Sequence, residues 1–569
     1  MTIILGLNSG EFNSSACILK DGKVTFAVQE ERLNREKFTK KFPVKSIQAC
    51  LKHENIKLKD IDFVSIGWNP SAHMISYNSK FSGERVLREN NLYTISDNLF
   101  NLTKRSPGNY TLVKHENSQH MPEAYHVQHH MCHSSNAFFL SNFKNAAILT
   151  VDFKGENQCT TWSFGKNNKI KILQYQNIPN SLGIIYATFT ALLGYKPDSD
   201  EWKVMAMSAY NVDCSRYVKK IKSTYQLIAN GKLKLNKKYY GFFEKNNKKL
   251  YTKKLLKLLK VKKVFYKKKP TIQDISIAKA LQLCSEEIAI HFLKHLYKLT
   301  KSKNLVLGGG FFMNSVFNGK IKEKTNFKNI FIPYAPTDTG NSIGSSLYTY
   351  YCILNKPRKK IFNSALLGPE YKNNEIKSVL KKRKVKFIKI NNVPKVVAKI
   401  CNDGEIVAYF NNRLEFRDRA LGCRSIIADP RKAKIKKEIN DSIKYREAYR
   451  PFAPSIIQNS ASKFFEVPNN YECKYMEKVI KVKKEFTGAL AAITHLDNSA
   501  RLQTVNRKDN KDFYNILKEF EKLTKFPILL NTSFNINGEP MVNSPDDAIS
   551  TFYKCNLKVM VIGNYLVRK

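Results

Sequence analysis

The chain has 569 residues, 43% hydrophobic and 12% aromatic, enough apolar material for about two to four folded domains, which excludes a disordered polymer. Its 96 basic against 47 acidic side chains give a net charge of +49, the balance of a nucleic-acid or anionic-surface binder. Much of that charge lies in Lys- and Asn-rich runs such as NKKYYGFFEKNNKKLYTKKLLKLLKVKKVFYKKKP, which codon bias towards A and T also produces, so a generic solvated basic surface is the simpler reading.

The first elements read as strands. IILGLN is a short apolar run, and SSACILK and KVTFAVQ flank Asp21-Gly22, a hairpin signal. The pattern recurs: AAILTVD at 146–152 precedes TTWSFGK and IKILQYQ around a second turn. A strand followed by a hairpin, given twice, predicts a duplicated α/β unit of the actin-like, ribonuclease-H-like kind. Between the two copies, HVQHHMCHSS packs four of the eleven histidines into eight positions. On a helix His129 and His133 share one face and His130 does not. Two imidazoles one turn apart can reach one ion, but carboxylates from elsewhere must close the site, and a polar helix face is the plain alternative.

Further on, SIAKALQLCSEEIAIHFLKHLYKLT has helical spacing, and NLVLGGGFFMNSVFNGKI reads as strand, triple glycine and helix. Gly309 and Gly310 at such a turn let backbone approach a phosphate or ribose. Asp338 falls in a Pro/Asp/Gly loop. Periodicity fails at 352–368, which predicts domains at 1–357 and 358–569. The second region, also α/β, holds RDRALGCRSIIADPR, KYREAYRPFAPS, SARLQTV and PILLNTSFNINGEP. Four clusters of Arg, Lys, Ser and Asn between Pro-fixed loops favour a phosphate-clamping pocket over a salt-bridged surface. The eleven scattered cysteines form no Cys-x-x-Cys, no run is long enough to cross a bilayer, and the apolar start is too short for a signal peptide. A cytoplasmic protein with free thiols is expected.

These motifs, with VQEERLNREKF, SLGIIYATFTALLGYKPDSDEWKVMAMSAY and VIGNYLVRK, resemble the O-carbamoyltransferases of the nodulation and antibiotic-tailoring type over nearly the whole chain. The resemblance implies an N-terminal domain similar to the tRNA threonylcarbamoyltransferase subunit. It also implies a C-terminal domain that makes carbamoyl-AMP from ATP and carbamoyl phosphate, with Mg²⁺. The carbamoyl group then passes to a hydroxyl of a sugar or secondary metabolite. His129, His133, Asp152 and Asp338 match the family's metal ligands, a set suited to iron(II). Asn314 would meet the adenylate, with Glu201 and Lys203 near the same cleft or paired structurally. In the C-terminal site Lys444 and Arg450, with Arg419, Arg424, Arg501, Asn531 and Ser533, would hold phosphates, and Arg446 with Glu447 could form a structural pair. Phe12 and Asn13 stand where the family has a His-Asp pair, Phe38 replaces a histidine and Ala206 a glycine. With the usual base missing, His130 or His126 is the substitute, or the metal activates the acceptor itself. The expected partner is a small-molecule hydroxyl acceptor, with a homodimer allowed by the resemblance. Fused adenylation motifs argue against nucleic acid. An amine acceptor, an RNA-binding relative and a non-catalytic relative are the alternatives.

Overall fold

Alternating strand patterns at both expected places fold as hairpins beside parallel strands. The computed structural model describes residues 1–10, 12–69, 110–113, 122–243, 249–262, 264–266, 269–361, 363–447, 449–450 and 452–569. In the first half, β1 (Ile3–Asn8), β2 (Ser15–Lys20) and β3 (Lys23–Gln29) form an antiparallel meander. Asp21 and Gly22 turn it with φ of 46° and 82°, the left-handed pair that a tight hairpin needs. β4 (Phe63–Ile66) and β6 (Glu123–Val127) add parallel strands, and β5 (Tyr110–Val113) pairs antiparallel at the edge.

The second half repeats the order. β7 (Asn145–Val151), β8 (Gln158–Lys166) and β9 (Lys169–Asn177) make the meander, and β12 (Asn304–Gly308) and β13 (Asn329–Phe331) the parallel pair. A small hairpin, β10 (Tyr225–Ile228) with β11 (Lys232–Leu235), lies between them in the chain. The sheets run β3-β2-β1-β4-β6-β5 and β13-β12-β7-β8-β9, so one ribonuclease-H-like topology occurs twice.

Helices cover these sheets. α1 (His129–Leu140) is buried along its whole length, and α2 (Leu182–Leu192) and α3 (Glu201–Met207) pack on α4 (Ile272–Thr300). A capping box starts α4: Thr271 Oγ1 accepts the Asp274 N–H at 3.2 Å, and Thr271 N–H donates to Asp274 Oδ2 at 2.8 Å. After β12 the chain turns at Gly309, with φ of +98°, where a Cβ would sit 2.2 Å from Val151 O. Gly309→Ala is expected to destabilise the fold by about 3 kcal/mol, read as a lower urea midpoint at unchanged slope. α5 (Ser315–Lys324) follows, capped by Asn314 Oδ1 accepting the Phe317 N–H at 3.1 Å, and α6 (Asn341–Tyr348) lies against α1.

The third sheet lies in the C-terminal region: β14 (Ile388–Lys389), β15 (Val407–Phe410), β16 (Arg424–Ala428), β17 (Ala453–Ile457), β18 (Lys478–Lys481), β19 (Ser499–Val505), β20 (Ile528–Ser533), β21 (Val559–Ile562) and β22 (Tyr565–Arg568). Its order is β14-β22-β21-β15-β16-β20-β17-β19-β18. Alternation along β15 feeds two cores, Val407 and Tyr409 on one face, Ala408 and Phe410 on the other. Among the described residues no helix is long and apolar enough to cross a membrane. All eleven cysteines are free.

Candidate active site

His129 opens α1 without a side-chain cap. Instead the buried Glu156 carboxylate accepts its backbone N–H at 2.9 and 3.2 Å, placing negative charge at the helix N-terminus. One turn on, His133 Nε2 lies 3.0 Å from His129 Nε2. Asp152, just beyond β7, brings Oδ2 to 2.9 Å from His133 Nε2 and 3.8 Å from His129 Nε2. Asp338, in the turn before α6, brings Oδ1 to 3.3 and 3.4 Å from the same nitrogens. One ligand atom from each residue lies within 4.8 Å of the others. Burial works against charge on His129, but Asp338 and Asp152 outweigh it and raise the imidazole well above its ordinary value.

Two imidazole nitrogens facing each other and two carboxylates are the donor set of a divalent ion. The surroundings agree. The Asn341 amide lies 3.3 Å from His129 Nδ1, and its buried Oδ1 has no hydrogen-bond partner. Presented to Nδ1–H, that oxygen would leave Nε2 free as a ligand. The four residues therefore fit a metal.

Asp152 and Asp338 line one end of a cavity of about 940 Å³ that continues to the C-terminal sheet. There the wall carries Arg419, Lys444, Arg446, Arg450 and Arg501. Glu415 shapes the loop that delivers Arg419: its buried carboxylate accepts the backbone N–H of Leu421 at 2.8 Å, Cys423 at 2.7 Å and Arg424 at 3.2 Å. Among the described residues Lys444 Nζ donates only to neutral acceptors, Ser533 O, Asn535 O at 2.7 Å and Asn535 Oδ1 at 2.8 Å. Burial, reinforced by Arg446 and Arg450, holds its ammonium well below the ordinary value. Arg501 is lowered likewise by burial and by Arg419, Arg417 and Arg450. Arg446 Nη2, Arg450 Nε and Arg501 Nε are buried without hydrogen-bond partners among the described residues. This wall is built for anions.

Two family models decide what kind of protein this is: the carbamoyltransferase N-terminus matches residues 3–347 and the carbamoyltransferase C-terminus residues 398–569. The chain belongs to the carbamoyltransferase family. It is 32% identical to nodulation protein NolNO of Sinorhizobium fredii, over 99% of this chain and 80% of that one. Nodulation protein NolO of Bradyrhizobium diazoefficiens is 34% identical, over 78% and 79% of the two chains. An uncharacterized protein of Synechocystis sp. is 31% identical over 100% and 97%.

Within this carbamoyltransferase the structure redistributes several residues singled out by sequence. His130 does not face the cleft: Nδ1 lies 2.7 Å from Thr150 Oγ1 and Nε2 3.0 Å from Gln158 O, and its burial beside His129 and His133 pushes its pKa well down. Both nitrogens are occupied, which removes it as the acceptor's base. His126 Nδ1 is held by Trp68 O at 3.1 Å, and the ring does not line the cavity. Gly309 is a packing glycine, whereas Gly310 lines the cavity and donates its N–H to Asp152 Oδ2 at 3.1 Å. Asn314 also lines it, with its amide paired to Gln282 at 2.9 and 3.1 Å.

Arg424 lies outside the phosphate wall as well. Its guanidinium stacks 3.7 Å over Phe410 and donates to the carbonyls of Asn411, Asn412, Cys423, Pro369 and Asn543 at 2.8 to 3.4 Å. A residue spent on the fold gives a simple prediction. Arg424→Ala is expected to destabilise the protein by at least about 3 kcal/mol, measured by urea unfolding, because buried carbonyls lose their donor.

Asn531 and Ser533 line the wall; Asn531 Nδ2 donates to Ser455 Oγ and Gln503 Oε1 at 3.1 Å, and Ser533 Oγ to Asn535 Oδ1 at 2.7 Å. Glu447 pairs not with Arg446 but with Arg450 at 3.2 Å, Lys203 at 3.7 Å and Tyr266 at 2.8 Å. Lys203 is thus a structural tie between the halves, while Glu201 lines the cavity. Phe12 and Phe38 stack at 5.1 Å in the cavity wall. Sequence reasoning missed Asp198, Trp202, Asn535 and His495, which also line the cavity and belong to no spacing that marks chemistry.

Proposed function

We propose that this carbamoyltransferase is an ATP-dependent O-carbamoyltransferase. Carbamoyl phosphate is hydrolysed at the cationic wall, water displacing orthophosphate, and the carbamate oxygen so formed attacks the α-phosphorus of ATP. Pyrophosphate leaves, and carbamoyl-AMP moves along the cavity to the His-Asp end. There an acceptor hydroxyl attacks the carbamoyl carbon and AMP departs.

The observation that carries this reading is that one cavity is lined both by Asp152 with Asp338 and by the cluster around Lys444. Five buried or half-buried cations line this part of the cavity. Of the carboxylates lining it, Asp418 accepts from Gln29, Asp497 from Ser499, and Glu539 is paired with Lys554, while Arg450 has Glu447 at 3.2 Å, so anionic ligands would offset the remaining positive charge. A nucleoside triphosphate and carbamoyl phosphate are such ligands. Lys444, Arg419, Arg450 and Arg501 would neutralise the phosphates as the adenylate forms, and Asn531 and Ser533 would orient them. Gly310 and Asn314 would contact the adenylate, and Mg²⁺ would arrive with ATP. A divalent ion on His129, His133, Asp152 and Asp338, iron(II) on the family resemblance, would supply Lewis-acid stabilisation of developing oxyanion charge.

A second reading concerns the acceptor. The stacked Phe12 and Phe38 replace two imidazoles with an apolar face, which favours an acceptor with an apolar scaffold over a bare sugar. The adenylation half is tested by incubating purified protein with ATP and following pyrophosphate. Release that requires carbamoyl phosphate is the expected result; release without it, or none, contradicts the proposal.

A further inference from the structure

The acceptor hydroxyl must lose a proton, and among the described residues no histidine is placed to take it. His129 and His133 converge on the carboxylates, His126 and His130 are turned into the protein, and Phe12 and Phe38 occupy the wall. His495 lines the cavity, but it precedes β19 of the C-terminal sheet, and burial beside Arg501 lowers it to about 4. Of the described carboxylates lining the N-terminal part of the cavity, Glu31 is paired to Arg32 at 2.5 Å and accepts the Phe38 N–H at 2.7 Å. Asp152 and Asp338 belong to the His-Asp cluster, and Asp198, which also lines the cavity and is raised by burial, lies in the field of the cations Lys40 and Lys154.

Glu201 is different. It is the first residue of α3, lines the cavity, and uses one oxygen to accept the Asp198 N–H at 2.8 Å. No other described residue donates a hydrogen bond to the carboxylate, and the side chain is half-buried at the cavity. Among the described residues no cation pairs with it: the neighbouring Lys203 is drawn to Asp200 at 3.0 Å and to Glu447 at 3.7 Å. From the helices packed on α3 come Tyr186 of α2, and Lys279 and Glu286 of α4. Tyr186 donates to Gln282 Oε1 at 3.1 Å, Lys279 to Val212 O at 3.1 Å, and Glu286 is paired with Lys320 at 2.8 Å.

We propose that Glu201 is the proton acceptor for the attacking hydroxyl, a role that rests on the transfer reaction argued above. As the acceptor oxygen bonds to the carbamoyl carbon, its proton passes to the carboxylate of Glu201. The bond from that carbon to the adenylate oxygen breaks, and its electron pair leaves with AMP. No further reactant is needed. Burial, with Asp198 and Asp200 nearby, raises Glu201 to about 7, where a carboxylate is both ionised and basic enough for this work.

The test compares wild type, Glu201→Gln and Glu201→Asp with ATP and carbamoyl phosphate. It uses glycerol at high concentration as the hydroxyl probe and hydroxylamine as a nucleophile that needs no deprotonation. The expected result is equal carbamoyl-AMP formation by all three and equal carbamoylation of hydroxylamine. Transfer to glycerol falls about 100-fold in Glu201→Gln and is partly restored in Glu201→Asp. The wild-type glycerol rate rises with pH around 7, and that rise is missing in Glu201→Gln. Glycerol transfer by Glu201→Gln within twofold of wild type overturns the proposal, as does a matching loss with hydroxylamine, which marks a structural role. A wild type that forms carbamoyl-AMP yet carbamoylates only hydroxylamine overturns it too. A wild type that forms no carbamoyl-AMP sinks the adenylation reading itself, a separate and visible failure.

Discussion

Lys444→Met is expected to lower carbamoyl-phosphate-dependent pyrophosphate release by about 100- to 1000-fold while leaving the fold at least as stable as before. The first half follows from position: Nζ stands among Ser533 and Asn535, with no anion among the described residues to hold it. An arriving phosphate is the partner that the ammonium lacks. The second half follows from burial, since a cation held below its ordinary pKa costs the folded state free energy that a methionine of similar length does not. The pH dependence has a definite sign. Between the depressed folded pKa and the ordinary value of a free lysine, the unfolded chain binds one proton more. Wild-type stability therefore gains from Lys444 as pH rises through that window, and the variant lacks the gain. Urea unfolding at neutral and alkaline pH measures both.

His133→Ala carries the complementary expectation. Removing one of two facing imidazoles leaves three ligand atoms where four converge, so bound metal, counted by elemental analysis, drops steeply. Transfer of the carbamoyl group falls by more than about 100-fold. Carbamoyl-AMP still forms, because the cationic wall stands on loops of the third sheet, built by residues 388–568. A loss of both steps would mean that the two ends of the cavity are not separate machines.

Much of this arrangement is legible in the sequence, for physical reasons. The hairpin at Asp21-Gly22 and its repeat after residue 166 announce themselves through turn chemistry, and period-2 runs beside them mark the strands. His129 and His133 are legible because helical spacing sets their common face, and KYREAYRP because cations gathered on a Pro-fixed loop are costly without a ligand. The failures share one cause: a residue type does not disclose where its side chain points. Arg424 and Arg419 stand five residues apart in one motif. The strand β16 turns Arg424 onto Phe410 and five carbonyls, while the Glu415-held loop leaves Arg419 facing the cavity. His130 sits beside a metal-type ligand, yet a 100° step around α1 carries it to Thr150 and Gln158. Glu201 acquires its basicity from burial against α2 and α4, which come together only in three dimensions.

The central claim is that adenylate made at the cationic wall waits for transfer at the His-Asp end of the same cavity. The most direct test is mass spectrometry of His133→Ala protein after incubation with ATP and carbamoyl phosphate without acceptor. The account predicts carbamoyl-AMP retained on the folded protein, with pyrophosphate and phosphate in solution. Intact ATP beside a folded, adenylate-free protein would contradict it.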